Sequence, residues 1–300
     1  MVTTRSFMNQ TWTDLNSPTK EEVDSLVLTQ NINPIIVNDL LTPTPAQHAK
    51  DEDRIIYMVL HIPAFERPHF AGANQEVDFI ISADGVVTAR YDSIDALHYF
   101  AKRIEVNEIL NKGPSSHLFF GIMKEIYKSM TDDLAYMEDW LKEIEKNIFE
   151  GQEKDMVFAI SNASRNLLNF KRTIEPQSGI FEFLRNIGKE KFGREFEAEA
   201  KILIEEWRQI MRRVDNQADL ATELRETNNS MLSTKQNEIM KKLAIIGFVL
   251  LPLTFIGQLF GLSIRYLPLI NHPYAFWIIL GFMAAVMLVS LIFAKLKKWM

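Results

Sequence analysis

Thr254 and Gln258 are the only polar side chains in an otherwise apolar and uncharged run, residues 243–262 (LAIIGFVLLPLTFIGQLFGL). They stand four residues apart, which on a helix places a hydroxyl and a carboxamide on one face. Neither group ionises near neutral pH; each exchanges hydrogen bonds with water or with the hydration shell of an ion. Followed backwards in steps of three and four, the same face carries Leu251, Gly247, Leu243 with Ala244, Met240 and Asn237. Phe248, Val249, Phe255 and Ile256 lie mostly elsewhere. Two readings of this stripe stand side by side. It lines a water-filled passage, or it packs helices, with Thr254 bonded to its own backbone and Gly257 and Gly261 forming a GxxxG contact. Pro252 is open in the same way: it frees the carbonyl of Phe248 for a pathway or merely bends the helix.

A second set of chemistry-bearing residues lies upstream. Asp215, Asp219, Glu223 and Glu226 fall at i, i+4, i+8 and i+11, roughly one helical face. Such a row attracts divalent cations, and equally it serves as a solvated face paired with Arg212, Arg213 or Arg225. The histidines, His48, His61, His69, His98, His117 and His272, show no H-x-H or H-x-x-x-H spacing, so no inner-sphere metal site is predicted. Cysteine is absent, which excludes thiolate ligands and disulfides. No P-loop, G-x-S-x-G, H-E-x-x-H or dinucleotide fingerprint occurs, so neither a cofactor nor an enzymatic activity is expected.

The elements that must hold these residues are membrane spans. A spanning helix needs about 20 mostly apolar residues. Residues 243–262 meet that length without a charge, and residues 275–293 nearly meet it after a short loop. All 39 acidic residues precede residue 241, with 27 of the 33 Lys and Arg, a formal −12. The remainder carries Lys241, Lys242, Arg265, Lys295, Lys297 and Lys298 and no acid. By the positive-inside rule both termini are cytoplasmic, the loop is external, and the chain sits in the cell membrane in contact with lipid. The first residues, MVTTRSFMNQTW, lack a long apolar core, so a cleaved signal peptide is not expected. The acidic balance argues against a nucleic-acid partner.

Residues 1–112 read as a mixed α/β domain. Residues 55–62, 77–82 and 86–91 are strand-like, the last two joined through Asp84-Gly85, a hairpin signal. Ser17-Pro18-Thr19-Lys20-Glu21-Glu22 opens a helix, with a cap, a proline near the first turn and acids at the positive dipole end. Residues 113–193 form a helical region, with helices over 115–150, 153–173 and about 179–191. Apolar Ile126, Met130, Leu134, Met137, Leu141, Ile144 and Ile148 recur there at helical spacing. Residues 194–242 lack glycine and proline and run as a long helix into the first span, 243–262. An outer loop (263–274), a second span (275–293) and a basic tail (294–300) complete the chain.

Asn237-Glu238-Ile239-Met240-Lys241-Lys242-Leu243 and Leu251-Pro252-Leu253-Thr254-Phe255-Ile256 resemble the approach and PLTFI core of the CorA-type divalent metal transporters, which include magnesium channels and ZntB-like zinc transporters. Trp12-Thr13-Asp14-Leu15, Pro18-Thr19 with Glu21 and Glu22, Val37-Asn38-Asp39-Leu40 and the closing Lys297-Lys298-Trp299 are similar to the family as well. The resemblance implies a funnel-shaped homopentamer: an α+β cytoplasmic domain and a stalk helix that continues as the inner pore helix, with the second span as an outer ring. It implies passage of divalent cations, with cytoplasmic carboxylates at subunit boundaries binding Mg²⁺ in the closed state.

One departure stands at the outer end of the first span. The family carries Gly-Met-Asn, and its ZntB-like members Gly-x-Asn, whereas this chain has Gly261-Leu262-Ser263. Selecting Mg²⁺ through hydrogen bonds to an intact water shell suits an ion that dehydrates reluctantly, and Ser263 offers an oxygen on a shorter arm. The loop, SIRYLPLINHP, has no carboxylate and has Arg265, which either repels a divalent ion at the mouth or turns aside to a lipid phosphate. A non-conducting or differently selective scaffold or sensor on the same fold is the competing reading. If the acidic stalks are bridged by cations, subunit association or thermal stability rises between EDTA and millimolar Mg²⁺; identical melting and assembly in the two buffers would refute the bridging.

Overall fold

The computed structural model describes residues 2–7, 10–30, 34–65, 74–110, 117–261 and 273–297. The chain divides into two compact units, Met1–Arg225 and Glu226–Met300. The first is built on a six-stranded sheet of order β1-β2-β6-β5-β4-β3. Its strands are β1 (Val2–Phe7), β2 (Gln10–Asn16), β3 (His48–Glu52), β4 (Ile55–Ile62), β5 (Gln75–Ser82) and β6 (Gly85–Arg90). All neighbours are antiparallel except β2 and β6, which run parallel.

Strand residues alternate between two buried faces. Leu15, Tyr57, Val59, Ile80, Val87 and Ala89 face one way, packing against Val23 and Leu26 of α1 (Lys20–Gln30), Ile36 of α2 (Pro34–Asp39) and Leu40. On the other face Trp12 meets Phe100 of α3 (Asp95–Leu110) edge-on at 5.3 Å, and Phe79 meets Phe119 of α4 (Leu118–Phe149) at 5.4 Å. The helical stripe from Ile126 to Ile148 on α4 is fully buried. α5 (Glu153–Ile174) and α6 (Gln177–Phe192) complete that layer. α7 (Arg194–Gly261) is continuous over 68 residues and α8 (Ala275–Leu296) follows. The result is an α+β domain with a long helix that becomes the first of two spans.

The parallel pair is held by Trp12-Thr13-Asp14-Leu15. Trp12 donates its indole N–H to Thr88 Oγ1 (3.0 Å), Thr88 donates to Asp14 Oδ1 (2.7 Å), and Arg90 closes on Asp14 Oδ2 at 3.0 Å. Gly85 lies beside this pair at φ +152°, where an added Cβ would come within 1.9 Å of Thr11 O. Only glycine fits there. The start of α1 is capped by Thr19: Glu22 N–H donates to Thr19 Oγ1 and Thr19 N–H to Glu22 Oε2, a reciprocal capping box. Pro18 immediately precedes the cap. Strands β1 and β3 and helices α2 and α3 were not legible as apolar runs. β1 and β3 are edge strands whose sequences, VTTRSF and HAKDE, are largely polar.

Asp78 is an acid placed in the α1/α2-facing core at 0% exposure, on central strand β5. Tyr57 donates its hydroxyl to Asp78 Oδ2 at 3.3 Å. Burial, and then the neighbouring Glu76 charge, push the Asp78 carboxyl up to about 8. The native state then holds a proton that the unfolded chain has released, so stability falls as pH rises from about 4 towards 8. Asp78→Asn removes that slope. In thermal unfolding of the full chain its advantage over the parent grows from pH 5 to pH 8, by on the order of 1.4 kcal/mol for each pH unit crossed; parallel stability curves for the two proteins would contradict it.

Candidate functional site

The second unit contains the two helices long and apolar enough to cross a membrane, the terminal part of α7 and all of α8. Their surfaces carry large apolar side chains in the open: Leu251 is 70% exposed, Phe276 68%, Trp277 67% and Leu296 78%. Apolar area of this extent calls for lipid or for other helices, not water.

Each helix has one covered stripe. Along the span of α7 the less exposed positions are Ile245, Val249, Pro252 with Leu253, Ile256 and Phe260, with Gly247 standing apart from them. On α8 they are Ala275, Ile279, Met283, Val286, Ser290 and Ala294, spaced by three and four, with Leu291 beside Ser290. Phe248 and Phe293 stack at 5.9 Å between the helices, and Ala294 is wholly buried. The sequence reading passed over Ser290 and Ala294. Their signal was present, two small residues four apart in an apolar helix, the spacing that lets backbones approach.

The stripe of Asn237, Met240, Leu243, Gly247, Leu251, Thr254 and Gln258 lies on the other side of α7. At about 100° per residue its centre is roughly 180° from the covered stripe. Gly247 is partly exposed and the other six are exposed in the single chain. Thr254 donates its hydroxyl to the carbonyls of Leu250 (3.1 Å) and Leu251 (2.9 Å), around Pro252. Its hydrogen is spent on the helix, and the oxygen lone pairs still face outward. The Gln258 side chain makes no hydrogen bond among the described residues. Among the described residues, nothing outside the helix's own backbone lies within 4 Å of a Cβ added at Gly247, Gly257 or Gly261, so any GxxxG packing falls outside these contacts. Leu262, Ser263, Arg265 and His272 lie outside the described residues.

The upstream acids are treated unequally. Asp215 pairs with Lys171 of α5 at 2.7 Å, a partner the sequence reading did not name, and this contact holds the Lys171 ammonium above its usual pKa. Arg225, offered from sequence as a partner for these acids, donates to Ser164 Oγ at 2.8 Å. Asp219, Glu223 and Glu226 are exposed. Among the described residues no three His, Asp or Glu side chains gather as a metal site. His117 instead serves the fold. It caps α4, its Nδ1 accepting from Phe119 N–H, and the other ring nitrogen lies 2.8 Å from Ser82 O and so carries the hydrogen. Burial lowers its pKa.

The family described as CorA-like Mg²⁺ transporter protein matches residues 9–298. The chain is similar to a cobalt/magnesium transport protein CorA of Thermotoga maritima, 22% identical over 270 residues, covering 90% of this chain and 77% of that one. It is also similar to the putative metal ion transporter YfjQ of Bacillus subtilis, 24% identical over 289 residues and covering 96% and 89%. In fold it matches the CorA magnesium transporter of Methanocaldococcus jannaschii with a TM-score of 0.83 at 20% identity, over 99% and 94% of the two chains.

The covered stripe yields a packing test. Ala294→Leu forces an isobutyl group into a fully buried position and lowers hairpin stability by about 1–3 kcal/mol, read as a fall in thermal unfolding temperature in detergent. Leu251→Ala, on the exposed face, leaves the hairpin's own packing intact; equal losses from the two changes would contradict the assignment of faces.

Proposed function

The chain belongs to the CorA-like Mg²⁺ transporter family, and from that premise we propose a homopentamer in the cell membrane that passes hydrated divalent cations along an axial pore. As a member it is a divalent-cation transporter of the CorA type, not an enzyme. The observation that carries the pore reading is the position of the Thr254 and Gln258 stripe, opposite the side of α7 turned to α8. A span with one face on its own hairpin partner and a polar face away from it needs a polar environment on the second side. Two helices cannot enclose one, and a ring of copies can.

In this reading residues 194–242 are the stalk, 243–262 the inner helix, 275–293 the outer helix, 263–274 an external loop and 294–300 a cytoplasmic tail. Met240, Leu243 and Leu251 form apolar rings that gate by dewetting. Asn237, Thr254 and Gln258 hydrogen-bond the water shell that Mg²⁺ keeps. Gly261, Leu262 and Ser263 stand at the entrance with Arg265 at its rim, and the ion runs down its electrochemical gradient or couples to protons. Asp219, Glu223 and Glu226 supply a regulatory cation surface between subunits, with Asp215 of the same row held by Lys171. Mg²⁺ and Co²⁺ come first as cargo, because the Thermotoga relative is named for them; Zn²⁺ and Ni²⁺ follow.

The scaffold or sensor reading retains one specific support, Gly261-Leu262-Ser263 in place of Gly-Met-Asn. Liposome flux separates the two. The wild-type protein admits at least one of Mg²⁺, Co²⁺, Zn²⁺ and Ni²⁺, and Ser263→Asn raises Mg²⁺ flux about tenfold, equivalent to ~1.4 kcal/mol at the entrance. Flux of none of these ions through either protein would remove the transport reading and leave the scaffold.

A further inference from the structure

A cavity of about 530 Å³ opens within the first unit between the C-terminal half of α5, the turn into α6, the segment before β3 and the end of β4. That volume lies in the range of small-molecule sites. Its walls are fixed by side-chain hydrogen bonds. Gln47 donates its Nε2 to Thr173 O at 2.6 Å, and its Oε1 accepts from His61 N–H at 2.9 Å and from Gln177 Nε2 at 3.1 Å. Gln177 also donates to His61 O at 2.8 Å. Segment, strand and both helices are thus joined, and the space between them is preformed.

Two side chains are left over by this network. Asn166 lines the cavity at 9% exposure, and its carboxamide makes no hydrogen bond among the described residues. An amide so far withdrawn from bulk water costs stability unless something in the cavity bonds to it. Arg172, less than two turns further along α5, lines the same cavity, and its guanidinium makes no hydrogen bond or ion pair among the described residues. Asn169 adds a second carboxamide between them, and Pro63 and Phe170 add an apolar surface. The charge of the wall has one sign. Among the described lining residues only Arg172 and His61 can carry a charge, and none is an acid. Glu76, behind His61, is committed: it accepts from the Thr44 N–H at 2.9 Å, from the Thr44 hydroxyl at 3.0 Å, and lies 3.3 Å from His61 Nε2. Glu175, three residues beyond Arg172, neither lines the cavity nor pairs with it.

We propose that this cavity binds a small organic anion, with its carboxylate or phosphate on Arg172 and a neighbouring polar group on Asn166. A free guanidinium grips two oxygens of such a group through paired N–H donors, and a carboxamide offers both a donor and an acceptor to a hydroxyl or amide beside it. The site lies wholly within the first unit and does not depend on the pore reading. Citrate, phosphoglycerate and AMP serve as probes of the full chain in detergent, in metal-free buffer at constant ionic strength. Binding is read by titration calorimetry and by the rise in unfolding temperature. At least one probe is expected to bind at one site per chain with a Kd below about 1 mM. Arg172→Gln and Asn166→Asp are each expected to weaken it about tenfold, while Lys154→Gln, near the exposed start of α5, leaves it unchanged. Asn166→Asp keeps the side-chain volume; should it fail to fold, Arg172→Gln at its exposed position still decides. No binding of any probe in either measurement overturns the proposal. So does an affinity that Arg172→Gln or folded Asn166→Asp leaves intact, or that Lys154→Gln lowers as much.

Discussion

Hydrocarbon offers no hydrogen bonds, and the rest of this chain is arranged around that fact. Through α8 and the terminal part of α7 the backbone satisfies itself as helix, and the side chains are apolar almost without exception. The exceptions therefore carry information. Ser290 returns its hydroxyl to Val286 O and sits in the covered stripe. Thr254 does the same with Leu250 and Leu251, but on the exposed side, where it neighbours the unsatisfied Gln258. One polar residue is absorbed by the hairpin and two are not, and the two that remain define a direction.

The first unit obeys a different constraint. Its sheet is buried on both faces, so polar side chains inside it must be paired or neutral. The Trp12, Thr88, Asp14 and Arg90 network satisfies this by ionic and hydrogen-bonded closure, and it fastens the one parallel pair in a sheet otherwise joined antiparallel. Asp78 meets the same condition by holding a proton. Residues that look alike as isolated acids in the sequence thus do opposite things, because one has a guanidinium within reach and the other is buried, with the Glu76 charge beside it.

Legibility followed the source of each element's stability. Strands β4, β5 and β6 and helices α4, α5 and α6 bury their own apolar periodicity, and residues 55–62, 77–82 and 126–148 announced it. Edge strands β1 and β3 are ordered by neighbours rather than by apolar content, and neither stood out. The site divides in the same way. The stripe from Asn237 to Gln258 is a matter of helical spacing and was readable from sequence. The burial of Ser290 and Ala294 depends on how the helices pack, and no spacing within a single helix says that.

By itself the sequence determined the two spans, the polar stripe on the first, the strand and helix content of the central elements, and the departure at Gly261-Leu262-Ser263. These are local properties, set by periodicity, length and the absence of charge. The tertiary structure decided which side of α7 is spoken for. It took Asp215 out of the acidic row through Lys171 and assigned the helix cap to Thr19. Such outcomes depend on pairs of residues far apart in the chain. Their energies are those of contact, and contact exists only once the elements are packed.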